Sequence, residues 1–133
     1  MNKKFLISMA VIFVLSMTFG FVVHGLLLEQ EYMQLSGLFR PPQDQSTHFP
    51  FMLLAHLFLA YGFVWIYLQG KEDKAFLPQG ICYGIAVAVL TTIPTYLIYY
   101  AVQPMPGLVV FKQIVFDTIA VMIMGIVVAW LNR

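Results

Sequence analysis

The sequence predicts an all-α integral membrane protein, a bundle of four transmembrane helices with both termini on the cytoplasmic side (N-in/C-in). Composition, apolar run length and the distribution of positive charge lead there. Of 133 residues, 61% are hydrophobic and only 10% charged, and the mean hydropathy is +0.85. Soluble domains are about one quarter charged, so the chain is composed for lipid as its main solvent. Four apolar runs, at about 5–28, 51–68, 79–102 and 108–131, approach or exceed the roughly 20 residues that cross about 30 Å of hydrocarbon.

Lys3 and Lys4 introduce the first run. It is longer than the roughly 7–15-residue apolar region of a signal peptide, which makes it an uncleaved first span. The stretch Met17 to Arg40 then organises the chain. It ends the first span, places His24 near that end, and passes into a polar loop over residues 29–49 containing Pro41-Pro42. Proline cannot continue a helix, yet it suits a first helical turn. Pro50 therefore predicts the start of the second span, and Pro78 the start of the third. Gly70 and the charged group Lys71, Glu72, Asp73, Lys74 end the second span. The short turn Gln103 to Gly107 returns the fourth span beside the third. Pro94 predicts a kink in the third span, because it removes a backbone donor and crowds the preceding turn.

Lys3, Lys4, Lys71, Lys74 and Arg133 collect on one side, against Arg40 and Lys112 on the other. The positive-inside rule makes the first side cytoplasmic. Trp65, Tyr67 and Trp130 then form an inner aromatic belt, and Tyr99 and Tyr100 an outer one. The net charge of +1 gives no footprint for nucleic acid. Cys82 is the only cysteine, which excludes an intrachain disulfide. Its apolar surroundings predict a buried, inert thiol.

Small residues indicate which faces meet, since lipid gives helices no hydrophobic reason to associate. The first span carries Ser16, Gly20 and His24 at four-residue spacing. The third carries Gly80, Gly84 and Ala88, continued by Thr92, Tyr96 and Tyr100. The second has His56 and Ala60, and the fourth Asp117, Val121, Gly125 and Ala129. Gly20, Gly80, Gly84 and Gly125 are thus helix-packing positions, and the polar residues on the same stripes point inward.

At 1.5 Å per residue, His24 and His56 lie roughly 6–8 Å below the outer boundary, and Asp117 about 7–14 Å. Tyr96 falls at a similar depth. His24, His56, Tyr96 and Asp117 form a candidate cluster in the outer half of the bundle, where polar side chains are costly and mark a site by default. Three chemistries fit these residue types. They satisfy one another by hydrogen bonds, or they hold a proton or a divalent metal on His24, His56 and Asp117. Alternatively, His24 and His56 ligate haem b from both sides, with Gly20 leaving room for the flat ring. No cofactor at all is the simplest expectation. Glu29, Glu31, Tyr32 and Arg40 of the outer loop are placed to cap the cluster, or they form a solvated connector. Lys112 is placed to pair with Glu29 or Glu31, and His48 to be solvated.

The segments GFVVHGLLLEQEY, FRPP, FPFMLLAHLFLAYGFVWIY, PTYLIYYAVQPMPG and KQIVFDTIAVMIMGIVVAWLNR resemble a group of small four-helix bacterial inner-membrane proteins. That resemblance implies the topology and a bacterial plasma membrane, and it carries no activity and no functional residue. The function expected from size and short loops is non-enzymatic. The chain reads as an accessory or structural subunit of a membrane complex, whose partners are the lipid bilayer and another membrane protein or a second copy. The alternative is a metal-, proton- or haem-binding membrane protein.

Overall fold

The structure, a computed structural model, describes residues 2–133. Its four long helices are α1 (Lys3–Leu27), α3 (Pro42–Gly70), α4 (Phe76–Val102) and α5 (Gly107–Leu131), with a short α2 (Glu29–Met33) between the first two. Each long helix is long and apolar enough to cross a membrane. The turns α3–α4 and α4–α5 are short, so consecutive helices run antiparallel and both termini lie at one end of the bundle.

The tightest contact is α4 against α5, while α1 packs on both α3 and α5. Glycine makes the α4–α5 approach possible. A Cβ built at Gly80 would stand 2.6 Å from the Ile126 Cα, and one at Gly84 2.5 Å from the Met122 Cα. Gly125 closes the same seam from α5, facing the backbone of Gly80 and Gly84. Gly20 serves differently: its open side faces the His56 ring of α3, 3.7 Å away. Cys82 lies between Gly80 and Gly84 in sequence and therefore on the opposite side of α4. It is exposed rather than buried as its apolar neighbours suggest.

Two helices contain π turns, in which N–H groups reach five residues back instead of four. In α4 the π turn Ala88–Thr92 ends two residues before Pro94. Pro94 cannot bond the carbonyl four residues behind it, and the wider turn takes up its ring. In α1 the π turn covers Phe21–Leu27, and the Leu28 N–H meets the Val23 carbonyl at 3.0 Å. The extra residue in this turn swings His24 off the ridge of Ser16 and Gly20.

The connector after α1 is more ordered than a polar loop. It contains α2 and a 3₁₀ turn, Ser36–Leu38, and α3 already begins at Pro42. Pro42 takes the first-turn position that Pro50 suits equally well, which leaves Pro50 inside the helix. The polar residues 43–48 are therefore helical, and α3 projects past the expected span. At the end carrying the termini, Trp65 and Trp130 are half exposed as belt residues should be. Tyr67 is buried instead, its ring edge-on to Tyr83 at 5.3 Å.

Between the two ends lies an apolar core. Ile12, Ala60, Val64, Val128 and Ala129 are fully buried, with Met124 beside them.

Candidate functional site

At the end away from the termini, α1, α2, α4 and α5 each deliver a polar side chain to one point. The π turn aims His24 at α5, where its Nε2 lies 3.1 Å from Asp117 Oδ2. Tyr96 of α4 donates its hydroxyl hydrogen to the same Asp117 oxygen, and its own oxygen is 3.2 Å from His24 Nε2. From the other side, α2 folds back so that Tyr32 Oη reaches His24 Nδ1 at 2.6 Å. The Tyr32 and His24 rings are nearly parallel, at 6°. Gln113, one turn before Asp117 on α5 and buried, donates from Nε2 to Tyr32 Oη at 2.9 Å.

The donor inventory fixes the hydrogens. With Asp117 ionised and His24 neutral, the chain runs Gln113 N–H to Tyr32 O, Tyr32 O–H to His24 Nδ1, and His24 Nε2–H to Asp117. Each ring nitrogen has a partner of the right kind. The one loose end is Gln113 Oε1, a buried acceptor without a hydrogen-bond partner. That atom becomes useful when His24 is doubly protonated. Nδ1–H then donates to Tyr32 O, and the Tyr32 hydroxyl hydrogen needs a new acceptor. Turning the Gln113 amide over supplies Oε1 in the place of Nε2. The ring nitrogens of His24 and the Tyr32 hydroxyl then keep partners with either charge on His24, and the unpaired group of Gln113 passes from Oε1 to Nε2. The side chains of His24 and Asp117 keep 33% and 20% of their exposure.

The surrounding tie comes from Lys112, which bonds Glu31 Oε1 at 2.5 Å. That hydrogen bond holds the Glu31 carboxyl below the usual carboxylate range. Burial pushes the Tyr32 phenol above the usual tyrosine range, so Tyr32 stays a neutral hydroxyl that can both donate and accept. Tyr32 and Leu35 also pack against Met105, Val109 and Val110, which seats the connector on α5.

Of the four residues expected in the cluster, the structure brings His24, Tyr96 and Asp117 together and leaves His56 apart. His56 Nδ1 donates to Ser16 Oγ at 2.9 Å, and Ser16 in turn donates to the Phe13 carbonyl at 2.9 Å. The space over Gly20 that a flat haem would need holds the imidazole of His56. Among the described residues, no three His, Cys, Asp or Glu side chains are close enough to hold a metal ion. Of the loop candidates, Glu31 and Tyr32 join the network. Glu29 is exposed, and Arg40 pairs with Asp44 at 2.8 Å. His48 also bonds within its own helix, its Nδ1 2.8 Å from the Asp44 carbonyl oxygen.

Sequence reasoning missed Gln113, although its place one turn from Asp117 puts it on the same face of α5. It also missed Ser8 and Asn132, both buried at the opposite end. Asn132 Nδ2 donates to Ser8 Oγ at 2.9 Å, tying the C-terminal end of α5 to α1.

Comparison with known protein families, with curated proteins and with solved structures finds no match.

Proposed function

We propose that this chain is a non-enzymatic multi-pass protein of a bacterial inner membrane, with both termini cytoplasmic, that binds a proton on His24. The orientation follows from the excess of lysine and arginine at the end carrying the termini. The observation carrying the proton reading is the hydrogen-bond chain Gln113–Tyr32–His24–Asp117, in which both ring nitrogens of His24 have a partner. Histidine is the side chain that changes charge between about pH 5 and 8, and the Asp117 carboxylate lies 3.1 Å from its Nε2. The reading is binding rather than conduction, because Ile12, Val64 and Val128 form a fully buried apolar layer between the His56–Ser16 pair and the Ser8–Asn132 pair.

The test is proton uptake by the purified protein in liposomes, stepped from about pH 8 to about pH 5. Wild type should take up one more proton per chain than H24N. Equal uptake would contradict the reading.

A second reading, an accessory subunit of a membrane complex, draws on α3. One side of it is left uncovered, with Phe51 and Phe58 each 69% exposed and nothing within 4 Å of a Cβ at Gly62. That face suits a helix of another membrane protein or of a second copy. A stable partner co-purifying in mild detergent, lost on F58W/G62W, would support it.

A further inference from the structure

At the opposite end of the bundle from His24, the termini of α1 and α3 enclose a groove of about 460 Å³. Two ammonium groups, Lys4 and Lys71, line it, and Phe5 and Leu68 form part of its apolar wall. Trp65 and Tyr61 border it, Tyr61 packing edge-on against Phe5 at 5.6 Å. No carboxylate lines it among the described residues. Glu72 and Asp73 follow Lys71 in sequence, and Glu72 is engaged by Lys74.

We propose that this groove holds the headgroup of an anionic phospholipid, its phosphate between Lys4 and Lys71 and the top of its acyl chains along Phe5, Leu68 and Trp65. Each ammonium already has one partner that fixes its position. Lys71 donates to the Asn132 carbonyl, and Lys4 to the Arg133 backbone oxygen at 3.4 Å. An ammonium has three N–H donors, so each lysine keeps two for a phosphate oxygen. Placement matches the ligand as well as charge does. The groove lies at a helix end, where headgroups lie, and its half-exposed tryptophan is the residue type that settles at that depth. A basic recess between membrane helices is a recurrent headgroup site. Neutral lipids lack the net charge that would reward two lysines, and free phosphate lacks the chains that would cover the apolar wall.

The test uses full-length protein with W130F, which leaves Trp65 as the sole tryptophan. Its fluorescence is quenched by phosphatidylglycerol or phosphatidylcholine brominated near the top of the acyl chains, each titrated into neutral-detergent micelles. Phosphatidylglycerol should quench at a roughly tenfold lower mole fraction than phosphatidylcholine. K4Q/K71Q should erase that preference, and K4R/K71R should keep it. Equal quenching by the two lipids, or a preference surviving K4Q/K71Q, overturns the proposal. So does competition by inorganic phosphate at concentrations comparable to the lipid, which would make this a free-phosphate site. Helix content by circular dichroism must match wild type in each variant, and both lysines are exposed enough for that to hold.

Discussion

His24 Nε2 and Asp117 Oδ2 lie 3.1 Å apart although 93 residues separate them in the chain. The contact joins the end of α1 to the first half of α5, and it exists because the π turn Phe21–Leu27 rotates the imidazole toward α5. Asn at 117 keeps the shape and an acceptor but removes the charge that answers a histidine cation. D117N should therefore fold, leave the neutral His24 network in place, and lose most of the proton uptake assigned to His24 in liposomes. Undiminished uptake would detach the carboxylate from the site.

The seam of α4 and α5 gives a sharper packing prediction. G84A places a Cβ 2.5 Å from a backbone atom of Met122, which cannot yield as a flexible side chain would. Overpacking of this kind costs about 1–3 kcal/mol or more, and thermal unfolding in detergent should shift down accordingly. G62A is the matched control, with nothing within 4 Å. Helix propensity favours alanine there by about 1 kcal/mol, so its stability should be unchanged or slightly raised.

Gly80, Gly84 and Gly125 were legible in the sequence as members of four-residue ridges, and so was the inward direction of Asp117 and Tyr96. The separation of His56 was not. Ser16, Gly20 and His24 share a face only while the helix stays α, and no residue in FGFVVHGLL announces a π turn as Pro94 announces one in α4. The position of Tyr32 was equally hidden, because it depends on α2 folding back onto Val109 and Val110. The start of α3 was ambiguous for a simpler reason: Pro42 and Pro50 both suit a first turn, and only the intervening polar residues, which are helical, decide between them.

The Glu31–Lys112 tie should respond to acid. Glu31 titrates below its ordinary value in the fold because Lys112 bonds its charged form. Its contribution is thus present above the unfolded carboxylate range and fades as pH falls through and below about 4.5. Amide exchange in residues 29–33 should speed up over that window, beyond the intrinsic pH effect. E31Q should remove that extra response.

At the far end, Asn132 donates to Ser8, and both residues are buried. S8A removes one acceptor while Asn132 keeps the Val128 carbonyl at 2.8 Å. Hydrogen bonds between membrane helices average about 0.6 kcal/mol, so chemical unfolding should show a loss near that size. A loss of several kcal/mol would mean that Ser8 does more than accept one bond.

The central claim is that His24 exists in two charge states within one network. Nitrogen-15 NMR of histidine-labelled protein tests it most directly, with H48Q and H56Q identifying the other two rings. At about pH 8 the account predicts His24 with hydrogen on Nε2 and none on Nδ1; toward about pH 5 it predicts hydrogen on both nitrogens. In Q113L, which cannot offer the turned-over amide, the doubly protonated form should recede while the neutral form persists. A His24 signal that stays neutral across that range would contradict the account.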